Sequence, residues 1–116
     1  MATHLAIGQH GENLAAEWLI QNGFRILQRN WRFGRKEIDL IATKTGILHI
    51  IEVKTRRGDG FGFPEQQVTA KKILALQKAA AAYLEINPQW RKIQFDILAI
   101  LLNTPTNDIR FLEDIS

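Results

Sequence analysis

Asp39, Glu52 and Lys54 stand in two short runs, Glu-Ile-Asp-Leu-Ile (37–41) and Ile-Ile-Glu-Val-Lys (50–54), among aliphatic residues that prefer burial. An unpaired carboxylate in such surroundings is costly, so these acids need a partner. Both runs read as strands, in which side chains at i and i+2 share a face. Glu52 and Lys54 therefore point the same way, after Leu48 and Ile50, and Glu37, Asp39 and Ile41 share a face of the other strand. If the two faces pair in a hairpin, Asp39 and Glu52 converge on one cation with Lys54 beside it. Oxygen-only ligands suit a hard ion such as Mg²⁺ or Mn²⁺. An ion of that kind polarises a phosphoryl oxygen and acidifies bound water. A neighbouring ammonium orients that water or steadies charge developing on the phosphate.

Glu12 is a fourth candidate. It borders the apolar stripe of a first helix that carries Ala15, Ala16 and Leu19, from where a carboxylate reaches the site through a metal-bound water. Glu37 sits at its strand's entrance and ranks as a supporting acid. Each group also has a plainer reading: Asp39 as a hydrogen-bonded strand residue, Glu52 and Lys54 as a same-face ion pair, and Glu12 as a helix-start acid favoured by the macrodipole. The conjunction on adjacent strands favours the site.

The elements that would position these groups follow from periodicity. Residues 6–22 read as a helix stopped by Asn22-Gly23, and residues 24–31 as a strand of imperfect alternation. Residues 37–43 and 47–55 are strands joined by a Lys-Thr-Gly turn, an antiparallel hairpin. Residues 57–64 are Gly-rich and read as a mobile loop. Residues 67–84 form an alanine-rich helix ended before Pro88; 93–102 is a buried strand, and 109–112 a short edge strand. The order α-β-β-β-α-β, with a further β, gives one mixed α/β domain over residues 1–116.

With 116 residues, 46% of them hydrophobic, and no cysteine, the chain excludes a disulfide framework, thiolate metal ligands and a cysteine nucleophile. No apolar run approaches a membrane span, and residues 1–20 do not read as a signal peptide, so a cytoplasmic location is expected. The net charge is only +3, but basic residues cluster. Arg32, Arg35, Arg56, Arg57, Lys71 and Lys72 are placed to grip a phosphate backbone, against the simpler reading of solvated surface charge. Trp31, Phe33, Phe61 and Phe63 are aromatic residues suited to stacking on bases, although Trp31 reads better as core. His49 faces away from Glu52 and reads as packed, and Asp96 reads as a member of a structural ion pair.

The ordered set of Glu12, Glu-Ile-Asp-Leu-Ile (37–41) and Glu-Val-Lys (52–54) resembles the PD-(D/E)xK nuclease superfamily. More closely, it resembles the YraN-like family of predicted endonucleases, which are similar to archaeal Holliday junction resolvases. The likeness runs from about Gly8 to Ile100 and takes in Asn30-Trp31-Arg32, Thr55-Arg56, Lys71, Tyr83-Leu84 and Phe95-Asp96. It implies a restriction-endonuclease-like fold, a mixed sheet flanked by helices. It also implies Asp39 and Glu52 as metal ligands, Val53 lending its carbonyl, Lys54 as catalytic lysine and Glu12 as accessory acid. Two departures stand out: Lys36 occupies the usual glycine position, and Gln77 is followed four residues later by Ala81 where some nuclease relatives carry Tyr.

The sequence thus leads to a Mg²⁺- or Mn²⁺-dependent endonuclease acting on DNA, with branched DNA as a fitting substrate. A homodimer would suit an activity with two strands to cut. The alternatives are a non-catalytic nucleic-acid-binding module on the same fold and a protein-interaction domain whose acids are structural.

Overall fold

A computed structural model describes residues 4–57, 69–103 and 106–115. The elements run α1 (His4–Gln21), β1 (Arg25–Phe33), β2 (Lys36–Lys44), β3 (Ile47–Arg57), α2 (Ala70–Ile86), β4 (Lys92–Leu102) and β5 (Asp108–Leu112). This is the mixed α/β architecture expected, with the edge strand present as β5. The Gly-rich stretch 58–64, with Phe61 and Phe63, and the first residues expected for the second helix, Gln67 and Val68, lie outside the described residues. Among the described residues no helix is long and apolar enough to cross a membrane.

The five strands lie in the order β1-β2-β3-β4-β5, with β3 and β4 parallel and the other neighbours antiparallel. The parallel pair requires a crossover, which carries α2. β3 and β4 are the strands most covered on both faces, so their sequences read as nearly continuous aliphatic runs.

One face of the sheet packs under α1. There Ala15, Ala16 and Leu19 meet Leu40, Ala42, Ile51, Leu98 and Ile100. On the other face Leu76, Ala79, Ala80 and Tyr83 of α2 meet Ile38, Ile41, Leu48 and Ile50. Fully burying one such leucine contributes about 1.5–3 kcal/mol, and the paired alanines let α2 approach closely. Trp31 packs into this second cluster and meets Tyr83 edge to face, its ring centroid 5.3 Å away, as the core reading requires.

Local chemistry sets the ends. At the end of α1, Gly23 takes φ 88°, the Phe24 N–H donates to Leu19 O and the Gly23 N–H to Ile20 O, a Schellman closure. Thr69 caps α2, its side chain accepting from the Lys72 N–H. The β2–β3 turn has positive φ at both Thr45 (51°) and Gly46 (81°), the pattern of a type I′ hairpin. In the β1–β2 turn positive φ falls on Gly34 (59°), so the lysine at position 36 leaves the turn intact. In the first strand Ile26 packs in the α1 cluster and Leu27 in the α2 cluster, as neighbours in a strand do, and a register shift against β2 falls between Ile26 and Gln28.

Candidate functional site

The β2–β3 pairing runs from Lys44↔Ile47 to Leu40↔Ile51 and then stops. One residue further, Asp39 lies across from Glu52. There the side chain takes over from the main chain, and the Val53 N–H donates to Asp39 Oδ2 at 2.8 Å. The two strands part at this point. Alternation breaks here too: Ile38 joins the α2 cluster, whereas Leu40, two residues on, joins the α1 cluster. Asn30, between the paired residues Arg29 and Trp31 and so across from Asp39, holds φ 52°. Asparagine tolerates that left-handed conformation better than most residues.

Three carboxylates meet at the parting. Single oxygens of Glu12, Glu37 and Asp39 lie within 4.8 Å of one another. Glu12 reaches the group because Gly11 lets α1 settle directly on β3: a Cβ at Gly11 would overlap the Thr55 side chain. Burial and the charge of Glu52 push Asp39 up to about 7, against the Val53 hydrogen bond that favours its anion. Burial also raises the Glu12 carboxyl, with a hydrogen bond from the Asn30 side chain opposing. The protein alone thus leaves this cluster short of positive charge. Oxygen donors only, short separations and a deficit of positive charge are what a hard divalent cation would satisfy, so the residues fit such an ion.

Glu52 is buried and stands outside that triad. Its Oε1 is 3.3 Å from Lys54 Nζ and 3.2 Å from Lys72 Nζ. The charge of Glu52 is the main cause that raises Lys72. A cleft of about 340 Å³ opens over this pair, lined by Arg35, Lys36, Glu37, Asp39, Glu52 and Lys72 among others. A second cleft, of about 570 Å³, lies towards α1 and is lined by Glu12, Asn13, Arg29, Asn30, Arg32 and Glu37 with Gly8 and Gln9. Glu37 belongs to both and is tied to Arg32 at 3.2 Å.

The structure therefore brings Glu12, Asp39, Glu52, Val53 and Lys54 to one place. Glu37, a supporting acid in the sequence, is a full member of the cluster. Its shared face with Asp39 was the available signal, but the bend at Asp39 that gathers it was not readable. Of the basic residues, Arg35 and Lys72 line the cleft and Arg32 is engaged by Glu37. Lys71 is exposed on the first turn of α2, Arg57 is exposed at the end of β3, and Arg56 precedes it, partly buried. The contact of Lys72 with Glu52 had no signal in the chain, because it depends on where α2 crosses the sheet.

Asp96 is separate from this cluster. Fully buried, it accepts from His49 Nδ1 (2.6 Å), Gln94 Nε2 (2.8 Å) and the Asp114 N–H (2.9 Å), on the face of the sheet away from Glu52. The expected packing of His49 and the structural pairing of Asp96 are both present.

Comparison with known proteins gives the family. The model of Uncharacterised protein family UPF0102 matches residues 11–100, a span containing every acid and lysine of the site. A UPF0102 protein of Rhodococcus opacus strain B4 is 41% identical over 116 residues, covering 98% of each chain. One from Chloroherpeton thalassium is 42% identical over 123 residues, covering 98% of this chain and 95% of its own. One from Flavobacterium psychrophilum is 42% identical over 114 residues, covering 98% and 96%. The chain belongs to the UPF0102 family, the YraN-like family that its motifs resemble.

Proposed function

We propose that the protein is a metal-dependent endonuclease that hydrolyses DNA phosphodiesters, with branched DNA as the favoured substrate. One observation carries the reading: β2 and β3 part where Asp39 and Glu52 face each other, with Lys54 on Glu52 and Glu12 and Glu37 alongside Asp39. A purely structural role would not set three further carboxylates, Glu12, Glu37 and Glu52, around Asp39, since each raises the cost of ionising it.

Asp39 and Glu52 would hold Mg²⁺ or Mn²⁺, with the Val53 carbonyl beside them and Glu12 and Glu37 reaching the same ion directly or through water. Bound there, such an ion would polarise the scissile phosphate and acidify an attacking water. The chain's own groups do the rest. The Val53 N–H fixes the rotamer of Asp39, keeping one oxygen turned into the parting of the strands. Lys54, two residues after Glu52 on the same face, holds its ammonium where it orients the nucleophilic water or steadies the extra phosphate charge. Arg35, Lys36 and Lys72 on the cleft wall bind the flanking backbone, an attraction that weakens with added salt.

The test is a panel of linear, single-stranded, flap and four-way DNA with Mg²⁺, Mn²⁺ or chelator, run beside Asp39→Ala and Glu52→Ala. Cleavage that needs the ion and is lost in both folded variants is the expected result. Variants that cut as well as wild type would end the assignment. Salt-sensitive DNA binding with no ion requirement and no cleavage would favour a binding module instead, and no binding even at low salt a protein-interaction domain.

A further inference from the structure

Lys72 is not part of the sheet that carries the site, yet its ammonium sits on the buried carboxylate of Glu52. Lys54 Nζ lies on the same oxygen, at 3.3 Å against 3.2 Å for Lys72. One carboxylate with only 6% of its side chain exposed needs one countercharge, and two ammoniums on one oxygen repel each other. The second cation on Glu52 therefore calls for its own explanation.

The surroundings supply one. Lys54 is anchored on β3 with its side chain 25% exposed, whereas that of Lys72 is 47% exposed and rises from the first turn of α2. That turn holds Lys71 and Lys72 and no acidic residue. Lysine is disfavoured at the positive end of a helix unless an anion comes to it. The cleft beside it also carries Arg35 and Lys36, so a phosphate entering there meets cations on two sides. A divalent ion bound to Glu52 would stand beside both ammoniums. The more exposed of the two, Lys72, is the one able to leave.

Resting on the metal-site reading above, we propose that Lys72 is a placeholder that the cation displaces. In the cation-free protein it neutralises Glu52; when a divalent ion occupies Asp39 and Glu52, Lys72 turns to the oxygens of a phosphodiester in the same cleft. Cation and phosphate backbone then bind cooperatively, because the ion releases the ammonium that the phosphate needs. By linkage the phosphate tightens the ion by the same factor.

Calorimetric titration of the full chain with Mn²⁺ alone tests the first half without any cleavage. Lys72→Met removes the competitor and should bind Mn²⁺ about two- to fivefold more tightly than wild type, the span expected of a partly exposed pair. Lys72→Arg should restore the wild-type value, and Lys78→Met, an exposed change elsewhere on α2, should leave it unmoved. For the second half, the affinity for a short phosphorothioate DNA duplex is measured with Mn²⁺ and with chelator. Mn²⁺ should tighten wild type by roughly fivefold or more, and this gain should vanish in Lys72→Met. Unchanged or weaker Mn²⁺ binding by Lys72→Met, or retention of the gain, overturns the role of Lys72. If wild type binds no Mn²⁺ that depends on Asp39 and Glu52, the metal-site reading falls as well, which separates the two failures.

Discussion

Replacing Asp39 by Asn keeps an acceptor for the Val53 N–H while removing a charge that the fold holds against its preference. The rise of this carboxyl from 3.8 to about 7 corresponds, at ~1.4 kcal/mol per pH unit, to a ceiling of about 4 kcal/mol. Partial contact with solvent lowers the realised figure to roughly 1–3 kcal/mol. The sign follows from proton linkage. Folded Asp39 keeps its proton to higher pH than the unfolded chain does, so its stabilising share is present below about pH 4 and is lost as pH rises through about 7. Urea denaturation in chelator should therefore find Asp39→Asn more stable than wild type by roughly 1–3 kcal/mol near pH 8, the gap closing towards about pH 4. Mg²⁺ should close or reverse the gap, since an ion at 100 times its Kd adds about 2.7 kcal/mol to wild type and nothing to the variant. Equal or lower stability of Asp39→Asn at the alkaline end, with no trend in pH, would refute the claim that this carboxylate lacks countercharge.

Three further outcomes follow from the geometry. Gly11→Ala should push α1 off Thr55, lower stability by about 1–3 kcal/mol and weaken Mn²⁺ binding through displaced Glu12; Thr55→Ala in the same chain should return part of both, by denaturation and calorimetry. Asp96→Ala strands the donors of His49, Gln94 and the Asp114 amide, and should lower stability by about 2–5 kcal/mol in thermal unfolding while leaving Mn²⁺ affinity unchanged. Thr45→Asn should raise the urea midpoint, by a stability gain of about 0.5–1 kcal/mol, because a β-branched residue at φ 51° is strained.

The β2–β3 hairpin and its opposed acids were legible because strand periodicity fixes faces, and one buried face leaves little freedom of register. The helices were legible from alanine content and stop signals, although their ends shifted: α2 extends to Ile86, two residues past the expected end. What periodicity cannot carry is its own interruption. The bulge near Leu27, the left-handed Asn30 and the break in alternation at Asp39 are local departures from a repeat of two, and it is beside the last of these that Glu37 joins the cluster. Lys72 was legible as a lysine seeking an anion, since its place at a helix start is a local property. Which anion it meets in the folded chain, Glu52, depends on a contact between residues twenty apart.

The Thr45–Gly46 turn closes the hairpin at the end opposite its parting. Thr45 lies six positions after Asp39, about 20 Å along a strand. Five facing pairs, from Lys44↔Ile47 to Leu40↔Ile51, lie between and hold the register whatever happens at the tip. The tip is therefore a place to graft foreign material, such as a fluorophore for following DNA binding or a short peptide for surface immobilisation, with the acidic cleft left facing free solution.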